Sequence, residues 1–138
     1  MSRDSMLGKA RVLSKAEADV LDERTRQQIV EGWTPEHDDQ HSQGELSRAA
    51  GSYALNAGAA IHFGTTDTSI CETAPYGWPW DEKWWKPTNS RRDLVKAGAL
   101  ILAEIERIDR VEKLKAADQT FDRGGRRNEN NEGDLVCN

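Results

Sequence analysis

The segment Tyr76-Gly-Trp-Pro-Trp-Asp-Glu-Lys-Trp-Trp-Lys-Pro87 holds four of the five tryptophans of this 138-residue chain. Prolines at 75, 79 and 87 punctuate it. No helix runs through that spacing, because proline lacks an amide hydrogen and its ring clashes with the preceding turn. The segment is therefore a loop carrying an exceptional aromatic load. Two readings follow. The rings plug the end of a helical bundle, or some of them form a stacking surface for a flat ligand. Tryptophan and arginine dominate binding energy at many interfaces, and Arg91 and Arg92 follow directly.

The length suits one domain with a real but modest core. Hydrophobic residues make up 36% and charged residues 31%, so polar ends attached to a compact centre are expected. A net charge of -5 argues against a general electrostatic grip on duplex nucleic acid. No apolar run approaches the ~20 residues that cross a bilayer, and residues 1–15 lack the apolar centre of a signal peptide. Cys71 and Cys137 lie far apart and suggest no disulfide framework or zinc knuckle. The expected location is the cytoplasm.

Helical signals dominate the rest. Ser14 with Glu17 makes a capping box that opens a helix over about 15–31. Its stripe of Leu13, Ala16 and Val20 continues at helical spacing as Arg24, Gln27 and Glu31. A stripe that turns polar in this way either emerges into solvent or lines a pocket. After Gly32, Thr34-Pro35 starts a short turn. A second helix over about 44–60 carries the stripe Leu46, Ala49, Ala50, Tyr53 and Ala57. A third, over about 91–114, presents Leu94, Gly98, Ile101, Ile105 and Ile108 as its core face. The predicted class is all-α, a bundle of three or more helices with a long tryptophan-rich loop. The expected organisation is a flexible N-terminus over 1–13, a helical domain over 14–114, and a disordered tail over 115–138.

Two clusters could carry chemistry. Glu31, Asp38, Asp39 and Glu45 concentrate carboxylates around the junction of the first two helices, with His37 and His41 among them. Such a group either caps the next helix in solvent or takes a hard cation such as magnesium. Lys86, Arg91, Arg92 and Lys96 form the basic counterpart. They either meet a phosphate at the start of the third helix or neutralise the acidic cluster. No nucleophilic triad and no glycine-rich phosphate loop are readable.

Three blocks carry a resemblance: Glu23-Arg-Thr-Arg-Gln27, Glu31-Gly-Trp-Thr-Pro-Glu-His-Asp-Asp39, and Arg91-Arg-Asp-Leu-Val-Lys-Ala-Gly-Ala-Leu-Ile101 with Ala-Glu-Ile-Glu-Arg107 after it. Together they resemble small proteins of tailed phages and prophages. That group is distantly similar to MazG-like, all-α nucleoside triphosphate pyrophosphohydrolases. The resemblance implies a nucleotide-sized pocket in a helical bundle, with magnesium held by paired acids. This sequence departs from that pattern, with Ala49 and Ala50 where acids would stand. Asp93 and Glu104 would lie about 16 Å apart along one helix at 1.5 Å per residue.

The leading expectation is a phage-encoded protein, in the host cytoplasm, that binds a nucleotide or nucleotide-derived signal without turnover and sequesters one used in host defence. Its binding residues are Trp78, Trp80, Trp84, Trp85, Lys86, Arg91, Arg92, Lys96, Arg24 and Gln27. No cofactor is required, although magnesium is an option at Glu31, Asp38, Asp39 and Glu45. Self-association into a homo-oligomer is compatible with the reading. One rival is a divergent pyrophosphohydrolase that gathers Glu31, Asp38, Asp39 and Glu45 around magnesium, with Asp93 as an optional further ligand. The other is an interaction protein whose aromatic loop inhibits a host protein. Among the rings, Trp78 and Trp80 are expected to plug the bundle, and one of Trp84 and Trp85 to face the ligand beside Arg91.

Overall fold

A computed structural model describes the backbone of residues 11–135 and the side chains of residues 11–122. Among the described residues the fold is all-α, with four α-helices, one 3-10 turn and no strand. Helix α1 spans Lys15–Ile29, α2 Pro35–Asp39, α3 Glu45–His62 and α4 Ser90–Leu135, and the 3-10 turn covers Glu82–Trp84. The chain divides into two compact units, 1–104 and 105–138. No described helix is long and apolar enough to cross a membrane.

Local chemistry fixes the boundaries in the first unit. Ser14 Oγ accepts from the Glu17 amide at 3.1 Å and starts α1. Gly32, at φ 73°, turns the chain in a left-handed conformation that suits glycine. Thr34 Oγ1 then accepts from the His37 amide at 3.3 Å. Pro35 supplies the preset φ of a first helical residue, so the expected turn is a short helix.

Alanines set the core. Leu46, Ala49, Ala50 and Tyr53 of α3 pack with Ala97, Leu100 and Ala103 of α4 and with Trp85 of the loop. All five residues of the expected α3 stripe are buried. The α4 face differs from expectation. Leu94, Ile101, Ile105 and Ile108 are each nearly half exposed, whereas Val95, Ala97, Ala99, Leu100 and Ala103 are buried. Small side chains on both helices allow close backbone approach, and the larger isoleucines remain outside. Gly98 does meet α1. A Cβ placed there would lie 3.2 Å from both γ-methyls of Val20.

The loop between α3 and α4 is pinned from inside. Asp93 is fully buried in the first turn of α4. Its carboxylate accepts from the Thr68 hydroxyl and, at 3.0 Å, from the Thr88 amide. Ser90 N donates to Thr66 O at 2.8 Å, beside the isolated Asp67–Asn89 bridge. Asp93, offered by the rival enzymatic reading as a metal ligand, is thus a loop fastener.

The second unit is the continuation of α4 through Leu135. The sequence reading ends this helix at about Leu114 and treats 115–138 as a disordered tail. Helix continues because residues 104–120 contain no proline and many strong helix formers, including Glu106, Lys113, Lys115, Ala116 and Ala117. Low apolar content denies this stretch a core but not its local hydrogen bonds. The N-terminal expectation falls mostly on residues 1–10, outside the described residues; residues 11–14 are exposed and not helical.

Candidate functional site

The first unit encloses a cavity of about 750 Å³, within the range of small-molecule and cofactor sites. Helix α1 and the turn after it supply Glu23, Arg26, Gln27, Glu31 and Trp33. His37 of α2 and His41 follow, with Tyr53 from α3. The loop adds Trp78, Trp80, Asp81, Trp84 and Lys86, and α4 adds Arg92, Lys96 and Leu100.

One wall is aromatic. Trp33 stacks on His37 with centroids 5.5 Å apart and planes 9° apart. His37 meets His41 at 4.9 Å, His41 meets Trp80 at 5.4 Å, and Trp80 returns to Trp33 at 6.3 Å. These four rings close a circuit. Trp78 extends it at 5.4 Å from Trp80 and joins Trp85 and Tyr53 beneath. Carboxylates hold both imidazoles: His37 Nδ1 lies 3.2 Å from Asp38 Oδ1, and His41 Nδ1 lies 3.4 Å from Glu45 Oε2.

The four loop tryptophans therefore divide differently from expectation. Trp85 is the plug. It is 5% exposed, stacks on Tyr53 at 4.8 Å, and donates from Nε1 to Cys71 O at 2.8 Å. Trp78 and Trp80 pack on the core and also form the cavity wall. Trp84 is 56% exposed at the cavity edge, with Lys83 and Lys86 ammonium groups 5.3 and 5.7 Å from its ring centroid.

The other wall is charged. Glu23 accepts from Arg26 Nε and NH2, each at 2.9 Å, and from Arg92 NH2. Burial raises its carboxyl pKa, but the Arg26 and Arg92 hydrogen bonds outweigh this and hold it below the ordinary value. Arg26 also reaches Glu31 at 2.8 Å. Lys96 donates to Lys86 O at 2.7 Å and sits 5.3 Å from the Tyr53 ring centroid. Burial pushes its ammonium below the ordinary lysine range, and likewise pushes the Tyr53 phenol up.

Of the expected binding residues, Gln27, Trp78, Trp80, Trp84, Lys86, Arg92 and Lys96 converge on this cavity. Three are placed elsewhere. Trp85 lies in the core, and Arg24 is buried against Asp38 at 2.9 Å. Arg91 faces a separate charged groove with Asp19, 2.8 Å away.

The expected metal residues do not converge. Asp38 bonds Arg24, Glu31 bonds Arg26, and Glu45 bonds His41. Asp39 is exposed. Among the described residues no three His, Cys, Asp or Glu side chains are grouped to hold an ion. The carboxylates sit close in sequence, but Asp38 and Glu31 each meet an arginine and Glu45 lies beside His41, which relieves part of the repulsion that made a metal attractive.

Sequence reasoning passed over Trp33, Tyr53, Glu23 and Arg26 as site residues. A signal existed for two of them: Glu23 and Gln27 are four apart, and Trp33 stands four before His37. Comparison of the chain with protein-family models, with curated proteins and with solved structures finds no match.

Proposed function

We propose that this cavity binds a nucleotide or nucleotide-derived signal. The observation that carries the reading is the joining of an aromatic wall to a cation-bearing wall in one cavity of nucleotide size. A base can lie against Trp84 or the Trp33–Trp80 face, where ring stacking contributes roughly 1–3 kcal/mol per base. Lys86 and Lys96, the lining cations without a bonded carboxylate, can meet anionic oxygens. Sequestration of a host defence signal rests on the phage resemblance and adds a role to the same binding event.

A thermal-shift and calorimetric panel of nucleotides on the full chain tests the reading. Saturable binding that Trp84→Ala weakens without lowering the melting temperature supports it. Absence of binding to every nucleotide sinks it and favours the rival in which the loop engages a protein. Magnesium-dependent release of pyrophosphate from a triphosphate would instead favour the enzymatic rival, which requires acids that here bond arginine or histidine.

A further inference from the structure

We propose that Lys96 anchors an anionic group of no more than two charges, and that the cavity accepts this ligand without a divalent metal. The ligand class is a nucleoside monophosphate or a molecule of equivalent charge. The inference rests on the nucleotide reading and adds its charge limit, its anchor and its independence from metal.

Four of the cavity's charged side chains already meet one another. Glu23 receives three donors from Arg26 and Arg92, and Arg26 also bonds Glu31. These four side chains form a network of two arginines and two carboxylates whose formal charges cancel. Lys96 stands apart. Its Nζ donates to one backbone carbonyl and faces one aromatic ring; among the described residues no carboxylate bonds it, and Asp93 and Glu23 act on it only at longer range. A half-buried ammonium has lost part of its hydration, so an anion that reaches it recovers a charge-assisted hydrogen bond in a weakly screened place. Lys86 lies on the same wall, near the Trp84 ring.

The limit on charge comes from the same inventory. Glu23, Glu31 and Asp81 also line the cavity. Four Lys and Arg side chains stand against these three carboxylates, a net of one positive charge. A triphosphate would bring about four negative charges to a lining in which only Lys96 and Lys86 lack a bonded carboxylate. Enzymes resolve such a conflict with magnesium held by acids, yet Glu23 and Glu31 are paired with arginine here and no three of the described ligand-type side chains are grouped for an ion. One or two charges match two lysines. More do not.

The test is calorimetric titration of the full chain with adenosine, guanosine, cytidine and uridine monophosphates and their triphosphates, in EDTA and again in magnesium. At least one monophosphate should bind in EDTA, more tightly than its triphosphate, with an affinity that magnesium leaves unchanged. Lys96→Met keeps the stem over Tyr53 and should weaken that binding about ten- to a hundredfold, as removal of one charged hydrogen bond implies. Lys96→Arg should recover part of the loss. A tighter, magnesium-dependent triphosphate, or unchanged affinity in Lys96→Met, would overturn the proposal while leaving the nucleotide reading intact. If none of the probes binds, both fall. The monophosphate–triphosphate and metal comparisons use the wild-type chain, so the outcome does not depend on the variants folding.

Discussion

Asp38 and Arg24 form an ion pair inside the fold: Asp38 Oδ2 accepts from Arg24 NH2 at 2.9 Å, with side chains 0% and 5% exposed. The same carboxylate holds His37 through its other oxygen at 3.2 Å. One residue of α2 thus ties α1 to the aromatic wall. This relationship replaces the magnesium reading of Asp38 with a structural one, since a carboxylate committed to a buried guanidinium has little to offer a hard cation.

Removing one partner of a buried pair leaves the other charge without its counterion and typically costs about 3–5 kcal/mol. Asp38→Asn should therefore destabilise the protein by roughly that amount in a urea titration. His37 should lose its fixed orientation as well, seen as a changed imidazole resonance. Magnesium should shift the melting temperature of neither protein. A stable Asp38→Asn variant would mean that Arg24 finds sufficient compensation elsewhere.

Glu23 sets a second expectation, through acid. Its folded pKa lies below the ordinary 4.5 because the Arg26 and Arg92 bonds outweigh burial. A carboxyl with a depressed folded pKa binds its proton more readily in the unfolded chain. Its stabilising contribution is complete above the unfolded value and is lost as pH falls through the folded value. Wild-type stability should thus drop below pH 4.5 more steeply than that of Glu23→Gln, whose curve lacks this contribution while starting lower at neutral pH. Parallel curves for the two proteins would show that the arginines do not depend on Glu23.

The contact of Val20 with Gly98 gives a third. Alanine at 98 gains about 0.8–1 kcal/mol of helix propensity, but its Cβ would stand 3.2 Å from both Val20 γ-methyls. Overpacking of that kind costs about 1–3 kcal/mol, so crowding wins and Gly98→Ala should melt lower than wild type. Val20→Ala removes the obstruction. In a double-mutant cycle the pair should be less destabilising than the sum of its members.

What could be read from residues and what could not divide along physical lines. Capping chemistry at Ser14 is local, so that helix start was legible, whereas Thr34-Pro35 read as a short turn and opens a five-residue helix. The α3 stripe was legible because all of its apolar positions lie on one buried face of the helix. On α4 the size of Leu94, Ile101, Ile105 and Ile108 misled: periodicity finds an apolar face, but close packing of alanines decided which face went inward. The polar continuation of α1 left solvent and pocket open as alternatives; Gln27 and Glu31 line the cavity, whereas Arg24 is buried against Asp38. Pairing between distant elements was not legible. Nothing in the spacing of Asp38 and Arg24, fourteen residues apart, or of Arg92 and Glu23, sixty-nine apart, announces that they meet. A cluster of acids in the sequence therefore resembled a metal site until the arginines that meet Asp38 and Glu31 were known.

The loop tryptophans supply the last prediction, since their burial orders them. Trp85 is buried in the core, stacked on Tyr53, with its Nε1 bonded to Cys71 O. Truncation there should cost roughly 3–5 kcal/mol, a large share of a domain's total stability. Trp84 is 56% exposed and packs mainly against two lysine side chains. Its replacement by alanine should change stability by no more than about 0.5 kcal/mol, as for other surface sites. Trp78 and Trp80 belong to both core and cavity wall, so each should lose stability by an intermediate amount and affinity as well. Urea unfolding of the four alanine variants, with nucleotide titration of those that remain folded, gives both quantities. The order Trp85, then Trp78 and Trp80, then Trp84 in stability loss is what the burial requires. If Trp84→Ala folds normally and binds as wild type does, the exposed ring is no part of the site and stacking must occur on the Trp33–Trp80 face alone.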